Sequence, residues 1–241
     1  MKVIGVIPAR YESRRFPGKP LAFIRGKPMI QHVYEQVRKS KDIDQVIVAT
    51  DHDQIRETVN KFGGFAVMTN SRHETGTDRI LEVMNKVEGD LFVNIQGDEP
   101  LICPKLVDRL IQYAKKLSGD IAVTAKVKID QKEDIMSPNI VKVVTDRCQN
   151  ALYFSRAAIP FQRSNQKADY YKHLGIYVYS REILENFSKL SDSMLEKSEM
   201  LEQLRLLEHT KRIKVIETDY NAVGVDIPED IEKVEEILGE Q

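Results

Sequence analysis

The 241-residue chain predicts an α/β fold with a mainly parallel sheet and an antiparallel insertion, arranged as one domain over residues 1–241. Three patterns carry this reading. Short apolar runs ended by breakers recur through the first half, helix-period segments separate them, and from about residue 139 the helical period gives way to β-rich runs. With 41% hydrophobic and 30% charged residues, the chain has enough apolar mass for a core and enough charge for a solvated surface.

Val3 to Ile7, closed by Pro8, suits a strand buried on both faces, as parallel strands are. Pro28 to Ser40 has helical spacing, with Pro28 expected as its first residue. Gln45 to Asp51 repeats the strand pattern, Asp53 to Phe62 the helix, and Gly63-Gly64 ends it. Asp78 to Val87 predicts a helix, Asp90 to Asp98 a strand, and Pro104 to Leu117 a helix opened by its proline. Strands alternating with helices imply right-handed crossovers and a parallel sheet. From Asn139 the runs Ile140 to Asp146, Ala151 to Ser155 and Gly175 to Tyr179 follow without convincing crossover helices, so residues 139–179 read as a β-rich antiparallel insertion. Gln162 to Tyr171, polar and without period, reads as a surface loop. Arg181 to Leu190 and Met194 to His209 predict helices, Ile213 to Thr218 a strand, and Pro228 to Leu238 the last helix.

Lys and Arg total 36 against 37 Asp and Glu, a net charge of −1, so no global field draws the chain to nucleic acid or an anionic membrane. No apolar run approaches the ~18 residues of a membrane span, and the N-terminal run is too short for a secretory signal. Cys103 and Cys148 have no C-x-x-C partner, which argues against a disulfide framework or zinc knuckle and for a reducing cytoplasm. The P-loop, dinucleotide, zincin and nucleophile-elbow signatures are all missing.

In an open α/β sheet the ligand crevice lies beyond the carboxyl ends of the strands. The loop after the first strand holds Arg10, Arg14, Arg15 and Lys19, with Gly18 permitting close backbone approach and three prolines limiting its freedom. Guanidinium forks and a compact ammonium suit a polyphosphate; a solvated basic loop is the plain alternative. Asp98, in Gln96-Gly-Asp-Glu-Pro100, and Asp226, in Gly224-Val-Asp-Ile-Pro-Glu-Asp230, stand at two further strand or helix ends. Magnesium takes one or two carboxylates and completes its shell with phosphates and water, so the two aspartates with a triphosphate compose a Mg2+ site. Taken singly, Asp226 reads as a helix cap and Asp98 as a turn residue.

These motifs, with Tyr153-Phe-Ser-Arg156, His173-Leu-Gly-Ile-Tyr177, Glu199-Met-Leu-Glu-Gln-Leu-Arg205 and His73-Glu-Thr-Gly-Thr-Asp-Arg79, resemble the 3-deoxy-D-manno-octulosonate (Kdo) cytidylyltransferases over nearly the whole chain. The resemblance implies a Rossmann-like nucleotidyltransferase fold, usually a homodimer, joining CTP to Kdo with release of pyrophosphate in lipopolysaccharide synthesis. Carried across, Arg10, Arg15 and Lys19 hold CTP phosphates, and Arg72 to Arg79, with Arg72 and Thr77, shape the base and ribose site. Lys19, Asp98 and Asp226 form the catalytic set, with both aspartates on magnesium. Gln96, Arg156, His173, Tyr177, Glu202 and Gln203 meet the sugar acid. Arg14 and Phe16 depart from the expected loop residues but not at the signature positions.

The sugar-side roles that the resemblance implies can be tested against chemistry. Kdo carries a carboxylate beside its anomeric carbon, so its pocket needs one cationic fork and many polar groups, and Arg156 after an apolar strand can be that fork. The alternative is an arginine pairing with any surface carboxylate. On a single helix from Met194 to His209, Leu201, Leu204 and Leu207 share the buried stripe, while Glu199, Glu202 and Gln203 share a second face. His173 and Tyr177, four residues apart, face one side of a strand. The rival readings are a cytidylyltransferase for an 8-amino Kdo analogue or another acid sugar, and a non-catalytic nucleotide-binding module. Retention of Lys19, Asp98 and Asp226 opposes the latter.

Overall fold

The computed structural model describes all residues except 13, 14, 74, 166, 192, 240 and 241. Ser13 and Arg14 of the basic loop, and Glu74 of the nucleotide-side motif, lie outside the described residues. The described chain groups into two compact units, residues 1–112 with 222–241, and residues 113–221.

The first unit is the strand–helix alternation that the apolar runs predict. It contains β1 (Val3–Ala9), a short hairpin of β2 (Phe23–Ile24) and β3 (Lys27–Pro28), α1 (Met29–Val37), β4 (Gln45–Thr50), α2 (Asp53–Lys61), β5 (Ala66–Met68), α3 (Gly76–Lys86), β6 (Leu91–Asn94) and α4 (Pro104–Ala114). The strands lie in the order β6-β1-β4-β5, all parallel, with Val6 opposite Asn94 on one side and Ile47 on the other. Val3, Ile4, Val6 and Ile7 are fully buried, which is why β1 shows no polar alternation.

Helix ends follow local chemistry. α3 starts at Gly76, two residues before the expected Asp78, because Thr75 and Asp78 form a reciprocal capping box that satisfies orphan amides. Pro28 is the residue before α1 rather than its first, at φ −58° and ψ 144°. The chain's last helix, Asp230–Gly239, also belongs to this unit and begins two residues after the expected Pro228. Its Val234 packs with Ile24, Met29 and Val225, and Phe16, Ile231 and Leu238 join that cluster. The basic loop and the chain's end therefore share one small core.

The second unit contains β7 (Ala122–Lys128), α5 (Lys132–Met136), β8 (Lys142–Thr145), β9 (Ala151–Ser155), β10 (Tyr171–Ser180), α6 (Arg181–Phe187), α7 (Met194–Glu199), α8 (Gln203–Glu208) and β11 (Ile213–Glu217). As expected, β8, β9 and β10 run antiparallel to their neighbours, β10 pairing with both β7 and β8. β11 is parallel to β7. The sequence reading placed no strand at β7, because buried Thr124 and Lys126 interrupt its apolar run; Thr124 spends its hydroxyl on strand carbonyls and Lys126 donates to Thr145 at 2.9 Å.

The expected single helix from Met194 to His209 is two. α7 stops where Met200 enters the left-handed region at φ 53°, and α8 restarts at Gln203. Leu201, Leu204 and Leu206 are buried while Leu207 is only half-buried, so the predicted stripe shifts by one position after the break. Glu199 consequently leaves the face it was expected to share with Glu202 and Gln203.

Candidate functional site

Four of the predicted residues converge at the carboxyl ends of the parallel strands of the first unit. Gly18 adopts φ 69° and opens a 3-10 turn, Lys19–Leu21, that turns Lys19 inward. The Lys19 ammonium donates to Asp98 Oδ2 at 2.6 Å and to the Val225 carbonyl at 2.9 Å, and lies 3.9 Å from Asp226 Oδ1. Arg15 Nη2 donates to Asp226 Oδ1 at 2.9 Å. A backbone bond from Val225 N–H to the Asp98 carbonyl, 2.9 Å, fastens the two aspartate segments together. Gly97 makes this approach possible: a Cβ there would stand 2.7 Å from the Pro8 carbonyl oxygen, so no larger residue fits beside the end of β1.

Asp226 is not a helix cap. Its carboxylate takes the Arg15 guanidinium and faces the Lys19 ammonium, while Asp230, the first residue of the last helix, reaches back with Oδ2 to accept from the Asp226 and Ile227 amides at 3.0 and 3.2 Å. Two hard carboxylate oxygens drawn to one ammonium are a donor set that fits magnesium, which needs no third protein ligand. Among the described residues, no group of three or more His, Cys, Asp or Glu is placed to hold a metal. Lys19 is 15% exposed against 55% for the Asp226 side chain, so one side of the pair is sheltered and the other open to a ligand.

The remaining nucleotide-side residues are placed more loosely. Arg10 is exposed immediately after β1, and Arg72 is exposed in a turn fastened by its amide to Asn70 Oδ1. Thr77 is 2% exposed in the first turn of α3, so its side chain packs inward. Beneath this turn, buried Arg79 donates to Asp51 at 2.5 Å and to Thr69 Oγ1 at 2.8 Å. Burial would raise the Glu82 carboxyl, but hydrogen bonds from Lys86, the Asn70 amide and His73 hold it at about 2. Gln96 is half-buried, and its carbonyl accepts from the Glu99 amide.

The predicted sugar-side residues of the second unit form two groups. Arg156, just after β9, donates from Nε to the Glu199 carbonyl at 2.8 Å and from Nη1 to the Pro138 carbonyl at 3.1 Å. Its amide donates to Glu199 Oε2 at 2.9 Å, and Ser155 Oγ donates to Oε1 of the same carboxylate at 2.6 Å. Glu199 thus anchors the strand end on which Arg156 stands. Membership of the Glu199–Arg205 and Tyr153–Arg156 motifs was the available signal for Glu199 and Ser155.

His173 and Tyr177 are brought together as expected, ring centroids 5.4 Å apart, even though β10 gains two residues relative to β7 between Leu174 and Tyr177. His173 Nε2 is 3.2 Å from Thr124 Oγ1, whose one hydrogen faces the Leu174 and Ile176 carbonyls. The Thr124 hydroxyl thus holds the imidazole edge at one nitrogen while bonding the backbone of β10. Burial pushes the His173 pKa down to about 3 and the Tyr177 phenol well above its ordinary value, so both are neutral at physiological pH. Glu202 is half-buried and Gln203 buried at the start of α8.

Known proteins match this arrangement end to end. The cytidylyltransferase family profile matches residues 4–213. A 3-deoxy-manno-octulosonate cytidylyltransferase of Thermodesulfovibrio yellowstonii is 50% identical, covering 99% of this chain and 98% of its own. The chain belongs to the 3-deoxy-manno-octulosonate cytidylyltransferase family. An Escherichia coli member of the family is 46% identical over 100% of this chain and 97% of its own. A solved CMP:2-keto-3-deoxy-manno-octonic acid synthetase complexed with CTP superposes with a TM-score of 0.96 at 46% identity, covering 100% of this chain and 99% of the other. The family's nucleotidyltransferase fold is the α/β arrangement described above. Among the described residues, no helix is long and apolar enough to cross a membrane.

Proposed function

We propose that the chain transfers CMP from CTP to the anomeric hydroxyl of Kdo, forming CMP-Kdo and pyrophosphate. The observation that carries this reading is the convergence of Arg15, Lys19, Asp98 and Asp226 in a chain of this family. Arg10, Arg15 and Lys19 are assigned to the triphosphate, where two forks and a point charge offset the charge that gathers on the leaving pyrophosphate. Arg72 and the first turn of α3, with Thr77, are assigned to the nucleoside. Gln96, Arg156, His173, Tyr177, Glu202 and Gln203 are assigned to the sugar acid, with the Arg156 guanidinium on its carboxylate. These sugar-acid assignments put most of the set in or beside the β-rich segment 139–179 and at the start of α8.

The reaction is a direct in-line displacement at the α-phosphorus. Phosphoryl chemistry asks the protein chiefly for position and charge, so no covalent enzyme intermediate is required. Asp98 and Asp226 are the residues that would hold magnesium, which when bound offsets phosphate charge and lowers the pKa of a coordinated hydroxyl. Lys19, 2.6 Å from Asp98 and 3.9 Å from Asp226, holds the two carboxylates close. Neutral His173 offers a ring nitrogen to a sugar hydroxyl without adding a cation beside the carboxylate.

A pyrophosphate-release assay with CTP, MgCl2 and a panel of Kdo, 8-amino Kdo and sialic acid tests the reading. Turnover with Kdo is expected to exceed the other two; saturation without turnover would make the chain a binding module. Homodimerisation belongs to the same proposal, and light scattering at the mass of two chains is its expected result.

A further inference from the structure

The Arg156 guanidinium is held by backbone carbonyls, and what organises those carbonyls is a buried lysine. Lys142, the first residue of β8, is 0% exposed. Its ammonium donates to the carbonyls of Ser137 at 2.7 Å, Ile140 at 2.6 Å and Arg156 at 2.6 Å. Three donors meet three acceptors, so the cation is fully paired although no carboxylate touches it. Burial lowers its pKa, an effect Glu199 opposes.

Two of those acceptors, Ser137 just before Pro138 and Ile140 two residues after it, belong to the turn whose Pro138 carbonyl receives Arg156 Nη1; the third belongs to Arg156 itself. β8 is also the strand between the two sugar-side groups. Lys142 stands opposite Ser155 of β9 and opposite Lys172 of β10, and the His173 amide donates to the Val141 carbonyl at 2.8 Å. One side chain thus joins the backbone that carries Arg156 to the turn that receives its guanidinium, at the register point beside His173. A lysine in a fully buried position is costly to desolvate, and a branched apolar residue would pack β8 without that cost. The three-way carbonyl clamp is what the ammonium supplies in return.

We infer that Lys142 is a positioning residue for the sugar-acid site, tying the 137–140 turn to the end of β9 so that the Arg156 guanidinium is aimed at the substrate carboxylate. This rests on the assignment of Arg156 to the sugar acid. It acts on one substrate only, because nothing in the clamp touches the residues assigned to CTP.

The test is steady-state pyrophosphate release by the full chain, varying Kdo at saturating CTP and CTP at saturating Kdo. Wild type, Lys142→Met and Pro138→Gly are compared, with melting curves to establish folding. In both variants KM for Kdo is expected to rise on the order of tenfold or more through misplacement of the guanidinium. KM for CTP should stay within about twofold of wild type, since its contacts are untouched. Unchanged Kdo kinetics, or equal damage to both KM values, would overturn the inference. If Lys142→Met does not fold, Lys142→Gln, which keeps a donor there without a buried charge but cannot serve all three carbonyls, decides by the same criteria, and Pro138→Gly, at an exposed position, reports on the turn alone. Wild type that turns over no Kdo would instead overturn the functional reading, and the inference with it.

Discussion

Replacing Asp98 or Asp226 by Asn should separate stability from activity. Asp226 is 55% exposed, accepts from an Arg15 that is itself 62% exposed at 2.9 Å, and stands 3.9 Å from the Lys19 ammonium. At these separations an exposed charge pair is worth ~1 kcal/mol or less in water, and screening reduces it further, so Asp226→Asn should melt within about 4 °C of wild type. Asp98 accepts at 2.6 Å from a lysine only 15% exposed. Losing the charge while keeping an amide oxygen in place should cost about 1–2 kcal/mol, or roughly 2–8 °C in Tm. Activity should not follow that ranking. If both carboxylates serve one magnesium at one phosphate, each substitution removes a charge-stabilising group worth roughly 3 kcal/mol, on the order of a hundredfold in rate. The assay is pyrophosphate release across a magnesium titration for the two single variants and the double variant. The double loss should be smaller than the product of the single losses, and saturating magnesium should restore only part of either. Near-normal turnover in either folded single variant would refute the argument and return that aspartate to a structural role.

Turnover with CTP should exceed that with UTP and ATP; comparable rates for all three in a nucleotide panel would remove the pyrimidine site assigned beside Arg72. Arg156→Ala should raise KM for Kdo on the order of a hundredfold while leaving CTP affinity, measured by calorimetry, near wild type. The His173 pKa of about 3 lies below its unfolded value of 6.5, so the unfolded chain binds the extra proton between them. Its contribution is fully present above about pH 6.5 and is lost as pH falls toward 3, so His173→Gln should flatten that limb of a plot of Tm against pH. An unchanged slope would mean that the imidazole protonates freely in the fold.

The parts of the site visible in sequence were those compressed into short segments. Arg10, Arg15, Gly18 and Lys19 lie within one loop, and a loop after a buried strand has a fixed address in an α/β sheet. Asp98 and Asp226 were assigned by composition and resemblance, and their meeting required the Val225–Asp98 backbone bond and the cluster around Val234. The bland reading of Asp226 as a cap was equally available until its carboxylate proved to face Arg15 and Lys19. On the sugar side, the continuous period from Met194 to His209 concealed the break at Met200, since a left-handed residue between two short helices leaves the apolar spacing almost intact.

From sequence alone came the α/β class, the parallel first half, the antiparallel segment and the addresses of the basic loop and of Arg156. These are set by local rules: the period of apolar residues, breakers at strand ends, and charge confined to a few positions. Only the tertiary structure decided which distant groups share a contact. Lys19 between two aspartates, Glu199 on the Arg156 amide, His173 against Thr124 and Lys142 among three carbonyls each join residues from different elements. A buried polar group must find partners wherever the packed chain offers them, and that choice belongs to the packing of the whole rather than to any run of neighbours.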